Sequence, residues 1–119
     1  MALKNILFVV ENLEKSVAFY KELFGLQVIR DFGSNVMLTE GLVLQERKSW
    51  EELTGGKTSW GGADAVLYFV ENDLDAFQEK LEKSSFEIQY IHPLKTQEWG
   101  KRAIRMYDLD QHVIEIGEM

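Results

Sequence analysis

The amino-acid sequence predicts an α+β fold made of one βαβββ module used twice. Three observations carry this. Val10-Glu11-Asn12 recurs as Val70-Glu71-Asn72, 60 residues on, and Ala18-Phe19 recurs as Ala76-Phe77, 58 on. The order strand, helix, three strands surrounds both copies, so a two-residue indel aligns the halves. The 119 residues fit one domain able to bury a core without staples.

Residues 5–10 are apolar and β-branched and read as a first strand. Leu13, Val17, Tyr20 and Phe24 then recur at helical spacing, Asn12 suits an N-cap, Glu14 lies near the positive helix end, and Gly25 suits a left-handed C-terminal residue. A helix over about 13–24 follows. Leu26–Arg30, Val36–Leu38 and Leu42–Gln45, separated by Phe32-Gly33-Ser34-Asn35 and Glu40-Gly41, predict a three-stranded meander. From about 48 to 63 periodicity fades among four glycines, Trp50 and Trp60, which predicts a linker or lid between modules at about 1–47 and 64–119. In the second module Ala65–Val70 is a strand and Leu74, Phe77 and Leu81 form a helix stripe. Asn72 with Asp75 has capping-box spacing. Phe86–Ile91, Ala103–Tyr107 and His112–Ile116 supply the remaining strands.

Composition narrows the function. Thirteen Lys and Arg against twenty Asp and Glu leave a net charge of −7, which disfavours nucleic acid and anionic membranes and leaves neutral or cationic small molecules open. The absence of cysteine removes disulfides, thiolate ligands and a Cys nucleophile. The first ten residues read as a strand, not as a signal peptide, and no run approaches the roughly 18 apolar residues of a membrane span, so a cytoplasmic location is expected. No nucleophile turn or phosphate-cradling glycine loop is visible.

The twofold module order, the Asn12-Leu13-Glu14 helix start, the pair Phe19-Tyr20, and the ending Trp99-Gly100 … Asp108-Leu109-Asp110-Gln111-His112-Val113-Ile114-Glu115 together resemble the vicinal oxygen chelate superfamily. That group holds glyoxalase I, the extradiol dioxygenases, the fosfomycin-modifying enzymes and the bleomycin resistance proteins. The usual last turn is Asp-Pro-Asp-Gly, and Leu109 and Gln111 replace its Pro and Gly. The resemblance implies a curved mixed sheet around a ligand cavity, with helices outside, in a homodimer. It also implies four metal-ligand positions, which fall on Asn5, Gln45, Ala65 and Glu115, with Glu46 and Asp64 as neighbours of the second and third. Only Glu115 is an effective ligand, and a lone carboxylate does not hold zinc, iron or nickel against water. Rebuilding the site from Glu46 and Asp64 requires a bulge, because a one-residue shift on a strand points to the opposite face. The paired histidines of a dioxygenase are missing.

The expectation is therefore a protein without metal or other cofactor, close in character to bleomycin resistance proteins, that binds a small aromatic or cationic organic molecule, an antibiotic among the candidates. Period-2 alternation sets Glu115 with Val113 on one face and Ile114 with Ile116 on the other, and a symmetric hairpin about Asp110 sets Arg105 opposite Glu115. An Arg105–Glu115 ion pair at a cavity floor is the sharper expectation, a solvated Arg105 the plainer one. Trp60 and Trp99, with Phe8, Tyr68 and Tyr107, are candidate lining residues; packing on the domain or on a second copy is the plainer reading of the tryptophans. His92 and His112 read as exposed loop residues. Two alternatives stay open: a glyoxalase-type lyase or isomerase with a rebuilt metal site and Glu115 as catalytic residue, and a vestigial cavity whose dimer surface is the functional part.

Overall fold

The computed structural model describes all 119 residues and divides into two units, Met1–Ser59 and Trp60–Met119. The first unit contains β1 (Ile6–Val10), α1 (Leu13–Phe24), β2 (Val28–Asp31), β3 (Asn35–Leu38), β4 (Leu42–Glu46) and α2 (Arg47–Thr54). The second contains β5 (Val66–Glu71), α3 (Leu74–Lys83), β6 (Gln89–Thr96), β7 (Arg102–Tyr107) and β8 (Val113–Glu118). The sheets share one topology, β1-β4-β3-β2 and β5-β8-β7-β6, each with a parallel first pair and antiparallel others. Each unit is thus a βαβββ module, and the architecture is α+β with mixed four-stranded sheets. No helix is long and apolar enough to cross a membrane.

In the first unit α1 begins and ends where its caps dictate. Asn12 Oδ1 accepts from the Lys15 N–H at 3.0 Å, and Gly25, at φ 69°, sends its N–H to Lys21 O at 3.1 Å. The buried face is rotated from the expected stripe. Ser16, Phe19, Tyr20 and Leu23 are buried, whereas Leu13, Val17 and Phe24 are partly exposed. Aromatic packing explains the rotation: the Phe19 and Tyr20 rings meet edge-on at 5.3 Å, and Phe24 tilts against both. Below them lie Val10, Val36, Leu38 and Leu44.

In the second unit the cap is Asp73, not Asn72. Asp73 Oδ1 accepts from the Ala76 N–H at 3.0 Å, and Asp75 instead pairs with Arg102. Equivalent caps are therefore 61 residues apart, not 60. Leu74, Phe77 and Leu81 are buried as expected and face Ile104, Met106, Ile114 and Ile116, each at most 1% exposed. Burial of this set stabilises the unit by about 1.5–3 kcal/mol per side chain.

Two further differences have local causes. Arg47–Thr54, expected as linker, is helical: Gln45 Nε2 donates to Ser49 Oγ at 2.8 Å, Arg47 pairs with Glu51 one turn on, and Gly55 closes the helix at φ 75°. Trp50 is therefore a helical residue. The sixth strand starts at Gln89 and runs through Pro93 to Thr96 instead of covering Phe86–Ile91. Pro93 is tolerated because β6 is an edge strand and its pairing shifts register between His92 and Lys95.

Candidate functional site

With Ile114 and Ile116 turned to α3, alternation puts Val113, Glu115 and Gly117 on the opposite face of the second sheet. Pairing carries that face across all four strands. Tyr68 lies opposite Glu115, Glu115 opposite Arg105, and Arg105 opposite His92, forming one cross-strand row. A flanking row holds Val66, Val113, Tyr107 and Gln89, and the next holds Val70, Gly117, Ala103 and Lys95. Val66, Tyr68 and Val70 are each at least 50% exposed, so no helix of this unit covers their side of the face.

The centre of the row is a guanidinium held on three sides. Arg105 Nε donates to Glu115 Oε1 at 2.6 Å, and Nη1 donates to Gln97 Oε1 at 3.0 Å and to His92 Nε2 at 3.2 Å. Because arginine only donates, His92 Nε2 acts here as an acceptor and the ring proton belongs on Nδ1, 2.9 Å from Pro93 O. Gln97 is 9% exposed, and its backbone N–H is bound to Lys101 O at 2.7 Å. Tyr68 extends over Gly117, where a Cβ would overlap its hydroxyl. The glycine thus makes room for the ring beside the ion pair.

The expected site residues divide accordingly. Arg105 and Glu115 meet, and Tyr68 and Tyr107 share their face. Phe8 does not line an open face. It pairs with Leu44 on the side of the first sheet that turns to α1 and is partly exposed there. Trp60, before β5, is 40% exposed, and Trp99, in the β6–β7 turn, is 64% exposed. His92 is a partly exposed strand residue, not a loop residue, and its part in the arginine cluster, like that of Gln97, depends on the β6 irregularity. His112 does close a turn but is partly buried. Asp108, 3% exposed, accepts from the N–H groups of Asp110 and His112, both at 2.9 Å, and lies 2.7 Å from His112 Nδ1. Gln111 there takes φ 71°, the left-handed conformation for which the superfamily turn uses glycine.

A divalent ion does not fit the superfamily's ligand positions. In the first unit Gln45 is 9% exposed with both amide ends engaged, Oε1 accepting from Asn35 Nδ2 at 2.6 Å and Nε2 donating to Ser49. Glu46 faces the other way. It lines a groove of about 600 Å³ with Glu11, Glu14, Asp31 and the α1 residues Leu13 and Val17. In the second unit Ala65, the third position, has an alkyl side chain that ligates nothing, and its neighbour Asp64 is exposed. Glu115, the one effective donor, already balances Arg105. No three His, Asp or Glu side chains gather in a way that could hold a metal ion.

Outside this face two arginines organise carboxylates. Arg102 holds the Asp75 carboxyl below its ordinary pKa through its guanidinium and that of Glu118 through its backbone N–H and guanidinium, and the Arg47 guanidinium does the same to Glu11. Burial pushes the Tyr90 phenol up, against the hydrogen bond it accepts from Gln78 at 2.7 Å.

The glyoxalase-like domain model matches residues 3–119. A crystal structure of a protein of unknown function from Agrobacterium tumefaciens str. C58 is 34% identical, covers 100% of this chain and 94% of its own, and has a TM-score of 0.86. A glyoxalase-related enzyme from Fulvimarina pelagi is 19% identical over 99% of this chain and 88% of its own, with a TM-score of 0.83. A genomically encoded fosfomycin resistance protein from Listeria monocytogenes is also 19% identical, over 100% of this chain and 93% of its own, with a TM-score of 0.76. No functionally curated protein matches. With the module topology of each unit and a family match over nearly its whole length, the chain belongs to the glyoxalase-like domain family of the vicinal oxygen chelate superfamily.

Proposed function

We propose that this protein binds a small planar organic molecule on the open face of the second sheet, without a metal ion, and acts by sequestration or sensing. The observation that carries the reading is the 2.6 Å contact of Glu115 with Arg105. The carboxylate that would anchor a metal in this superfamily is instead neutralised by a fixed guanidinium, and a second cation beside it would meet repulsion. Tyr68 and Tyr107, with Val66 and Val70, offer the ring faces and alkyl surface on which a flat ligand packs. Aromatic pairs of that kind contribute about 0.5–1.5 kcal/mol each beyond area burial. Trp60 and Trp99 are the further candidate lining residues. The reading includes a homodimer and admits antibiotics among the ligands, in keeping with the family.

The test has two parts. Protein purified without chelator is assayed for divalent metal, and a panel of planar compounds is screened by quenching of tryptophan fluorescence. Binding by metal-free protein supports the proposal. A stoichiometric ion whose removal abolishes binding or turnover would overturn it in favour of a metal-dependent lyase or isomerase.

A further inference from the structure

Within that binding reading, we infer that the Arg105 guanidinium is the docking point for an oxygen acceptor of the ligand, so that the ligand is a conjugated carbonyl or carboxylate compound. A guanidinium carries five N–H donors in a planar fork. In Arg105 the Nε–H is taken by Glu115, and Nη1 by Gln97 and His92. Nη2 has no partner in the chain, and the side chain is 30% exposed. Two donors of a charged group therefore remain open on the face that carries Tyr68 and Tyr107.

The group is also fixed. Its partners come from β8, from β6 and from the segment between β6 and β7, so the plane of the fork is set before a ligand arrives. Little side-chain freedom is left to lose on binding, the condition under which a hydrogen bond adds most to affinity. Glu115 balances the charge of Arg105 but accepts from Nε, not from Nη2, so the open donors keep their polarity without presenting a naked cation.

This local chemistry outweighs the net charge of −7 in choosing the ligand. Exposed charges beyond about 8–10 Å are screened at physiological ionic strength, whereas a donor in contact with an acceptor is not. An amine placed against Nη2 would face donor with donor. A carbonyl or carboxylate oxygen accepts from one of the open Nη2 N–H groups, with its ring toward the tyrosines.

Benzamide, benzoate and benzylamine share one ring and differ in the group offered to Arg105. Their dissociation constants are measured by NMR titration of the Tyr68, Glu115 and Gly117 amides in wild-type protein, Arg105→Met and Arg105→Lys. Benzamide and benzoate should bind about tenfold more tightly than benzylamine to wild-type protein, and Arg105→Met should bring the benzamide preference to about one. Lys95, on the neighbouring row, attracts benzoate alone, so neutral benzamide carries the test. Arg105→Lys should keep part of the benzoate preference and lose that for benzamide, because it retains charge without the fork. Open-face shifts with equal affinities for all three probes in wild-type protein would overturn the oxygen anchor and leave open-face binding standing. The absence of open-face shifts with every probe would overturn both. The wild-type comparison decides even if a variant folds poorly.

Discussion

Replacing Arg105 with Met and Glu115 with Gln, singly and together, gives a direct measure of the pair at the centre of the site. The two side chains are 30% and 21% exposed, so the interaction lies between two regimes. A fully exposed pair is worth about 0.2–1 kcal/mol, and breaking a fully buried one costs about 3–5 kcal/mol. Arg105→Met leaves the Glu115 carboxylate, Gln97 Oε1 and His92 Nε2 without their donor, and a loss of about 2 kcal/mol is expected. Glu115→Gln keeps an acceptor oxygen near Nε but removes the countercharge, for about 1 kcal/mol. The double variant should lose less than the sum, with a coupling of about 1 kcal/mol. Urea unfolding at neutral pH, followed by both far-ultraviolet dichroism and tryptophan fluorescence to check that the transitions coincide, measures each corner. A coupling below about 0.3 kcal/mol would mean that the pair is a surface contact and that Arg105 is not held in place by Glu115.

Asn12→Ala and Asp73→Ala should each cost about 1 kcal/mol, because each removes the side chain that caps its helix, whereas Asn72→Ala should stay within about 0.5 kcal/mol; thermal melts separate the three. Gln111→Gly should raise stability by up to about 1 kcal/mol by relieving a left-handed non-glycine residue, an increase reduced by the lost Gln111–Gln89 hydrogen bond, and Tm measures the balance. Asp75 and Glu118 are held below their ordinary pKa values by Arg102, so the unfolded chain binds their protons more readily. Their stabilisation is complete above about pH 4.5 and is lost as pH falls below it. Arg102→Met should remove the Asp75 part of that acid loss and leave much of the Glu118 part, which the Arg102 backbone N–H sustains, and urea midpoints at neutral pH and at about pH 3.5 show whether it does.

The parts of the fold legible in the sequence are those governed by short-range rules. The limits of α1 followed from Asn12 and Gly25, and the strands from apolar runs between turn residues. Cap chemistry also explains the one-residue error in aligning the modules. Val-Glu-Asn is repeated as letters, but Asn12 caps α1 whereas Asp73 caps α3, so the helix starts are one residue out of step with the repeat. The helix α2 was hidden because Trp50 and Leu53 are its only large apolar residues and Glu46 makes no side-chain cap bond, so its support comes from Gln45 and Glu51. The Arg105–Glu115 register was readable from a symmetric hairpin. His92 and Gln97 were not, because they reach Arg105 only through the irregular pairing of an edge strand containing proline.

The two modules use their inward polar positions differently, and the difference bears on where a ligand would dock. In the first, the polar position Gln45 is consumed internally, bridging Asn35 on β3 and Ser49 on α2, so its hydrogen-bonding capacity goes into holding α2. In the second, the corresponding polar position is a carboxylate, and its partner is an arginine that still has donors to spare. A buried amide with both ends satisfied has little left to offer a ligand, whereas a pre-positioned guanidinium with open N–H groups retains it. The same fold therefore carries one module whose polar centre is fully engaged within the chain and one whose arginine keeps open Nη2 donors.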